Sequence, residues 1–145
     1  MIRTDKRLRL CTALLLCNLA FIWGNSLLPG NISGAISDWV KALLSGLFDS
    51  TGESSIGGFV IRKLAHFTEF ACLGGLLLWR LGMLEKPKIL AFPLGAGAAC
   101  IDETIQLFVP ERGPGIRDVG IDCAGVLTGM ILVYLGYTYF KRKRS

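Results

Sequence analysis

Val119–Phe140, VGIDCAGVLTGMILVYLGYTYF, decides the fold class. One charge, Asp122, lies near its start, and the rest is apolar or small. A helix needs about 20 mostly apolar residues to cross a hydrocarbon core of about 30 Å. Strands of a membrane barrel are about half that length and alternate in polarity, which this run does not. Working outward, three more runs meet the same criterion: about Leu8–Leu28, Phe59–Leu84 and Ile89–Val109. Apolar residues make up 52% of the 145, and the mean hydropathy is +0.51. The sequence therefore predicts an all-α fold, a four-transmembrane-helix bundle with residues 1–145 as a single domain.

The segments between the runs add one element. Ile32, Ile36, Trp39, Val40, Leu43, Leu44, Leu47 and Phe48 recur at helical spacing, with Asp38, Lys41, Ser45 and Asp49 on other faces. That pattern predicts an amphipathic helix lying in the outer interface, its apolar face in the interface or roofing the polar residues below. Thr51–Gly58 reads as a Gly/Ser-rich connector. Pro93, Gly95 and Gly97 are expected to interrupt the third span. Pro110–Arg117 is a short loop.

The formal charge of +5 looks like a nucleic-acid signal until its placement is read. Arg3, Lys6, Arg7 and Arg9, against Asp5, precede the first span with a net of +3. Arg80, Lys86 and Lys88, against Glu85, join spans two and three with a net of +2. Lys141, Arg142, Lys143 and Arg144 follow the last span with +4. The first long loop, with Asp38, Lys41, Asp49 and Glu53, carries −2. Four crossings put the three basic segments on one side, and basic short loops stay in the cytoplasm. Both termini are thus expected inside, in a multi-pass protein with no nucleic-acid partner. The residues after the first run, Gly24–Pro29, contain no cleavage-like site, so a retained helix is expected rather than a signal peptide. Cys11, Cys17, Cys72, Cys100 and Cys123 all lie in apolar runs without a paired spacing, so neither disulfides nor a thiolate metal site is expected.

Charges inside a membrane cost about 2.5–3.5 kcal/mol each on insertion scales and mark candidate functional positions. Three spans carry them. Arg62, His66 and Glu69 share a face of span two, with Lys63 on its shoulder. Asp102 and Gln106 share a face of span three, with Glu103 on the shoulder, and Asp118, Asp122, Gly125 and Gly129 form one stripe of span four. At 1.5 Å per residue these sets converge in the outer half, with Arg112 and Arg117 in the loop above. Gly125-x-x-x-Gly129 is a close-packing pattern, expected to serve packing within the chain rather than dimerisation because it shares a face with the aspartates.

The motifs now on the page resemble those of the VanZ-like family of bacterial membrane proteins. Arg62-Lys63-Leu64-Ala65-His66-Phe67-Thr68-Glu69 is similar to its K-x-x-H-x-x-E/Y segment. Asp102-Glu103-x-x-Gln106 followed by Pro110-Glu111-Arg112 is similar to its D-E-x-x-Q…P-x-R signature. Asp118-x-x-x-Asp122-x-x-Gly125-x-x-x-Gly129 is similar to D-x-x-x-N-x-x-G-x-x-x-G, and Gly24-Asn25-Ser26 sits where the family has a polar end to its first helix. Asp122 departs from the common asparagine, and Glu111 from the frequent glycine. The resemblance implies a bacterial cytoplasmic-membrane, cell-envelope setting. It also implies a link to teicoplanin, the lipoglycopeptide antibiotic to which the family's namesake confers low-level resistance. It supplies no reaction.

Three readings of the polar residues stay open. In an enzyme, His66, Glu69, Asp102 and Glu103 are the catalytic candidates. Arg62, Lys63, Gln106, Arg112, Asp118 and Asp122 would then bind a membrane lipid or lipid-linked anionic ligand entering from the outer leaflet. In a non-enzymatic binder or small transporter the same grip serves without chemistry. In a structural protein the charges only pin the helices together. The carboxylates have the oxygen ligands a hard cation uses, but acid-rich sites are as often salt-bridged, so no metal or cofactor is expected. Oligomeric state is left open.

Overall fold

In a computed structural model of the chain, residues 2–44, 54–113 and 115–143 are described. They form five α-helices: α1 (Ile2–Ser26), α2 (Gly30–Leu44), α3 (Ser54–Met83), α4 (Ala91–Leu107) and α5 (Ile116–Arg142). A 3-10 turn, Lys88–Leu90, leads directly into α4. Among the described residues there is no strand, so the fold is all-helical. Two helices are long and apolar enough to cross a membrane, α1 over Asp5–Ser26 and the whole of α5. Helix α4 is 17 residues long, and the 30 residues of α3 include Arg62, Lys63, His66, Glu69 and Arg80.

Three sequence expectations need correction. Helix α3 begins at Ser54, so 54–58 of the expected connector is helical, and residues 51–53 lie outside the described residues. Helices α1 and α5 likewise run beyond their apolar stretches, to Ile2 and Arg142. Backbone hydrogen bonding does not stop where side chains become polar, so a hydropathy run marks the greasy part of a helix and not its ends. The third span is not interrupted at Pro93, since α4 is continuous from Ala91 to Leu107. Pro93 falls in its first turn, where a missing N–H has no helical acceptor to lose.

Helices α3 and α5 form the central seam, side by side and pointing the same way. The glycines make that possible. A Cβ on Gly125 would lie 2.5 Å from the Phe67 carbonyl oxygen, and one on Gly129 would overlap the Ala71 carbonyl. From the other side, a Cβ on Gly74 would overlap the Val126 carbonyl. Backbone thus lies on backbone, and the small-residue stripe is used within the chain, as expected. Helix α1 crosses back along α3, with the Cys11 thiol on the Leu76 carbonyl at one end and Asn18 Nδ2 donating to the Glu69 carbonyl nearer the other. Trp23 Nε1 donates to the Ala98 carbonyl of α4 at 3.4 Å.

The polarity of the bundle is inverted relative to a water-soluble domain. Ile22, Phe70, Leu73, Ala98, Ala99 and Val126 make the apolar core. Ser26, His66, Asp102, Glu103, Gln106 and Asp122 are as deeply buried, clustered toward one end of the bundle. Meanwhile Leu10, Leu16, Phe21, Ile131, Leu132 and Leu135 are exposed. Water would favour the reverse arrangement.

Helix α2 corresponds to the expected amphipathic segment and packs on α3; Leu47 and Phe48 fall outside the described residues. It turns Ser33 and Ser37 inward and leaves Ile32, Ile36 and Trp39 exposed. Its apolar face therefore points away from the bundle and does not roof the polar residues.

Candidate functional site

The polar residues gather where α3 and α5 begin and where α1 and α4 end. Spacings of three and four residues put Arg62, Lys63 and His66 along one side of α3, Asp102, Glu103 and Gln106 along one side of α4, and Asp118 and Asp122 along α5. Between them lies a cavity of about 80 Å³, lined by Arg62, Lys63, His66, Glu103, Gln106, Arg112, Asp118 and Asp122, with Glu111, Gly113 and Ile121 completing the wall. On this measure one water needs about 10–15 Å³, so the space takes a handful of waters or one compact charged group.

Eight of the ten site residues expected from the sequence therefore share one cavity. The other two lie behind it. Asp102 is completely buried and is joined to the wall through Gln106, whose Nε2 donates to its Oδ2 at 2.9 Å. Its Oδ2 also stands 3.8 Å from His66 Nδ1, too far for a direct hydrogen bond. Glu69 lies one turn further along α3 and faces α1, its Oε1 accepting from Asn25 Nδ2 at 3.3 Å.

Three of the acids lie deeper than the three cations of the wall. Asp102, Asp122 and Glu103 are buried, whereas Arg62, Lys63 and Arg112 are half-buried. Lys63 is paired with Asp118 across the α3–α5 seam. Glu103 accepts the Gly115 N–H at 2.9 Å and the Gln106 amide at 3.4 Å. Among the described residues, Glu69 Oε2, Asp102 Oδ1 and Asp122 Oδ2 are buried carboxylate oxygens with no hydrogen-bond partner. Unpaired buried acceptors of that kind are costly and rare.

The α4–α5 loop ties the mouth together. Arg112 Nε donates to the Leu28 carbonyl at 3.0 Å and Nη2 to the Asn25 carbonyl at 2.8 Å. The guanidinium thus caps the C-terminal end of α1, where the helix dipole favours a cation. Burial, and after it the like charge of Arg62, push Arg112 below its ordinary range, though arginine stays charged at any physiological pH. Glu111 has φ of 59°, the left-handed region, which costs a non-glycine residue about 1–2 kcal/mol. Its carboxylate accepts the Asn31 N–H at 3.1 Å while the neighbouring Pro110 carbonyl accepts the Gly30 N–H at 3.0 Å. Both bonds fasten the start of α2. Gly30 must lack a side chain there, since a Cβ would overlap the Glu111 carbonyl.

Three participants were not among the candidates drawn from the sequence. Ser26, completely buried, accepts from Gln106 Nε2 at 3.3 Å. Asn25 touches Glu69, and Glu111 lines the cavity. The polar end of the first span pointed toward Ser26 and Asn25, whereas Glu111 stood out only as a departure from the glycine frequent at that position. Arg117, expected above the site, is exposed and is not part of the cavity wall.

The profile of the VanZ/LLP1 family matches residues 10–137, most of the chain and every helix that contributes to the cavity. No curated protein and no solved structure shows significant similarity to it.

Proposed function

This chain belongs to the VanZ/LLP1 family, and from that premise and the geometry of its polar cavity we infer an integral membrane protein that recognises the charged head of an anionic amphiphile. Helices α1, α3, α4 and α5 all cross the bilayer in this reading. The exposed apolar side chains along α1 and α5, together with Leu94 and Ile101 of α4, supply the lipid-facing surface. At 17 residues α4 is at the short limit for a spanning helix, and the charges of α3 turn inward. The basic segments at the opposite end then lie in the cytoplasm, and the cavity opens toward the outer leaflet.

One observation carries the ligand class: a cavity too small for a lipid, buried among apolar helices, with Arg62, Lys63 and Arg112 in its wall beside Glu103, Glu111, Asp118 and Asp122. A single phosphate or carboxylate fits that volume and those donors, and the acyl part would remain outside. Phe108 and Ile116, 83% and 89% exposed, flank the loop at the mouth and supply an apolar surface for it. A lipid-linked cell-envelope molecule has this chemistry, and the family's association with a lipoglycopeptide antibiotic is consistent with it. Chemical modification of the ligand would fall to His66 and Glu103, titratable groups in the cavity wall.

The test is calorimetric titration of the detergent-solubilised chain with a short-chain phosphatidylglycerol and, separately, its phosphatidylcholine counterpart. The expected result is saturable binding of the anionic lipid that weakens at least about tenfold in Arg62→Gln. Equal binding of both lipids, unchanged in that variant, would reject the assignment.

A further inference from the structure

His66, Asp102 and Asp122 come from three different helices, and each is buried. One ligand atom from each lies within 4.8 Å of the others. Convergence of acids alone would not make a site. The second observation is that Asp102 Oδ1 and Asp122 Oδ2 have no hydrogen-bond partner, in side chains only 0% and 1% exposed. Each of these two buried carboxylates thus keeps one oxygen without a hydrogen-bond partner, although Lys63 and Arg112 stand in the same cavity wall.

We propose that His66, Asp102 and Asp122 bind a divalent transition-metal ion at the floor of the polar cavity. Two atoms each about 2.1 Å from one ion are at most about 4.2 Å apart. The 3.8 Å between His66 Nδ1 and Asp102 Oδ2 already falls inside that limit, and it is too long for the two groups to satisfy each other. Gln106, donating at 2.9 Å, holds the Asp102 carboxylate in orientation as outer-shell partners of metal ligands do. One imidazole with two carboxylates suits zinc or manganese better than calcium or magnesium, which favour all-oxygen sites. His66 and Asp122 line the cavity while Asp102 lies behind it, so the ion would have protein on its inner side and the cavity on its outer side. That is the arrangement of a site that keeps a position open. The departure at Asp122 gains a meaning too, because asparagine would bind the ion less well than a carboxylate.

This inference goes beyond the recognition of an anionic head, and its test uses the metal alone, so failure here leaves that reading standing. The chain has a single histidine, so nitrogen-15 histidine labelling reports on this site and nowhere else. The full chain in detergent, stripped with chelator and dialysed, is titrated separately with zinc, manganese, magnesium and calcium chlorides. Zinc or manganese should be taken up at one per chain. Zinc should shift the His66 imidazole nitrogen resonances, and Asp102→Asn and Asp122→Asn should each weaken uptake by more than about 100-fold. Asp5→Asn, in an exposed ion pair far from the cavity, should bind as the parent does. Should the aspartate variants fail to fold, the His66 resonances of the parent chain decide alone. Uptake that leaves those resonances unmoved, preference for magnesium or calcium, or no uptake by folded protein would each overturn the proposal.

Discussion

Gly129→Ala tests the seam on which the site is built. The added methyl meets the Ala71 carbonyl, a backbone atom with no rotamer to vacate, so α5 must move off α3. Overpacking a well-packed interior costs about 1–3 kcal/mol, and a rigid obstacle belongs at the upper end. Alanine's higher helix propensity offsets about 1 kcal/mol, which leaves a net loss of about 2 kcal/mol. Gly136→Ala, on the same helix with nothing within 4 Å of its Cβ, carries only the propensity gain of up to about 1 kcal/mol. The two variants should therefore differ by about 3 kcal/mol, roughly a 150-fold difference in unfolding constant. Equilibrium unfolding in mixed detergent micelles measures this directly. If Gly129→Ala were as stable as Gly136→Ala but altered oligomeric state, the stripe would be a dimer face and the seam misassigned.

Further expectations follow from the loop and the charges. Glu111→Gly should be more stable than Glu111→Ala by about 1 kcal/mol, since both lose the bond to Asn31 but only glycine relieves the positive φ; thermal melts decide it, and equal melts would refute the strain. Arg112→Lys should cost about 1–3 kcal/mol in denaturant unfolding. One ammonium cannot replace a guanidinium spanning the carbonyls of Leu28 and Asn25, so an unchanged midpoint would remove that strap from the account. Reporter fusions after Ser145 and within residues 51–58 should report opposite sides of the membrane, and a shared side would sink the four-span topology.

Much of the site was legible because its signal is local. Charges are so expensive in an apolar run that their spacing along α3, α4 and α5 declares which faces meet. Gly125 and Gly129 likewise announced a close approach, and the structure gives them Phe67 and Ala71 as neighbours. What stayed hidden depends on geometry between elements. Periodicity could not show that α2 would turn Ser33 and Ser37 inward and its isoleucines outward, because an amphipathic pattern does not say on which side the lipid lies. Nor could it show that Arg112 would be engaged with α1, or that Glu69 would face Asn25 and leave Asp102 with His66. Helix ends were misjudged for a simpler reason: hydropathy changes before the backbone does.

The central claim is that the buried charges form a working site and not a brace, and paired binding and stability measurements on the same preparations test it most directly. The exchanges Arg62→Gln, Arg62→Lys and His66→Gln keep a polar side chain at each position while removing the guanidinium fork or the imidazole. Each should lower affinity for the anionic amphiphile at least about tenfold while its melting temperature stays within about 3 °C of the parent, a shift of under about 1 kcal/mol for a chain of this size. A brace gives the opposite result: melting temperatures falling in step with binding across all three, since removing one partner of a buried charge network leaves the others uncompensated.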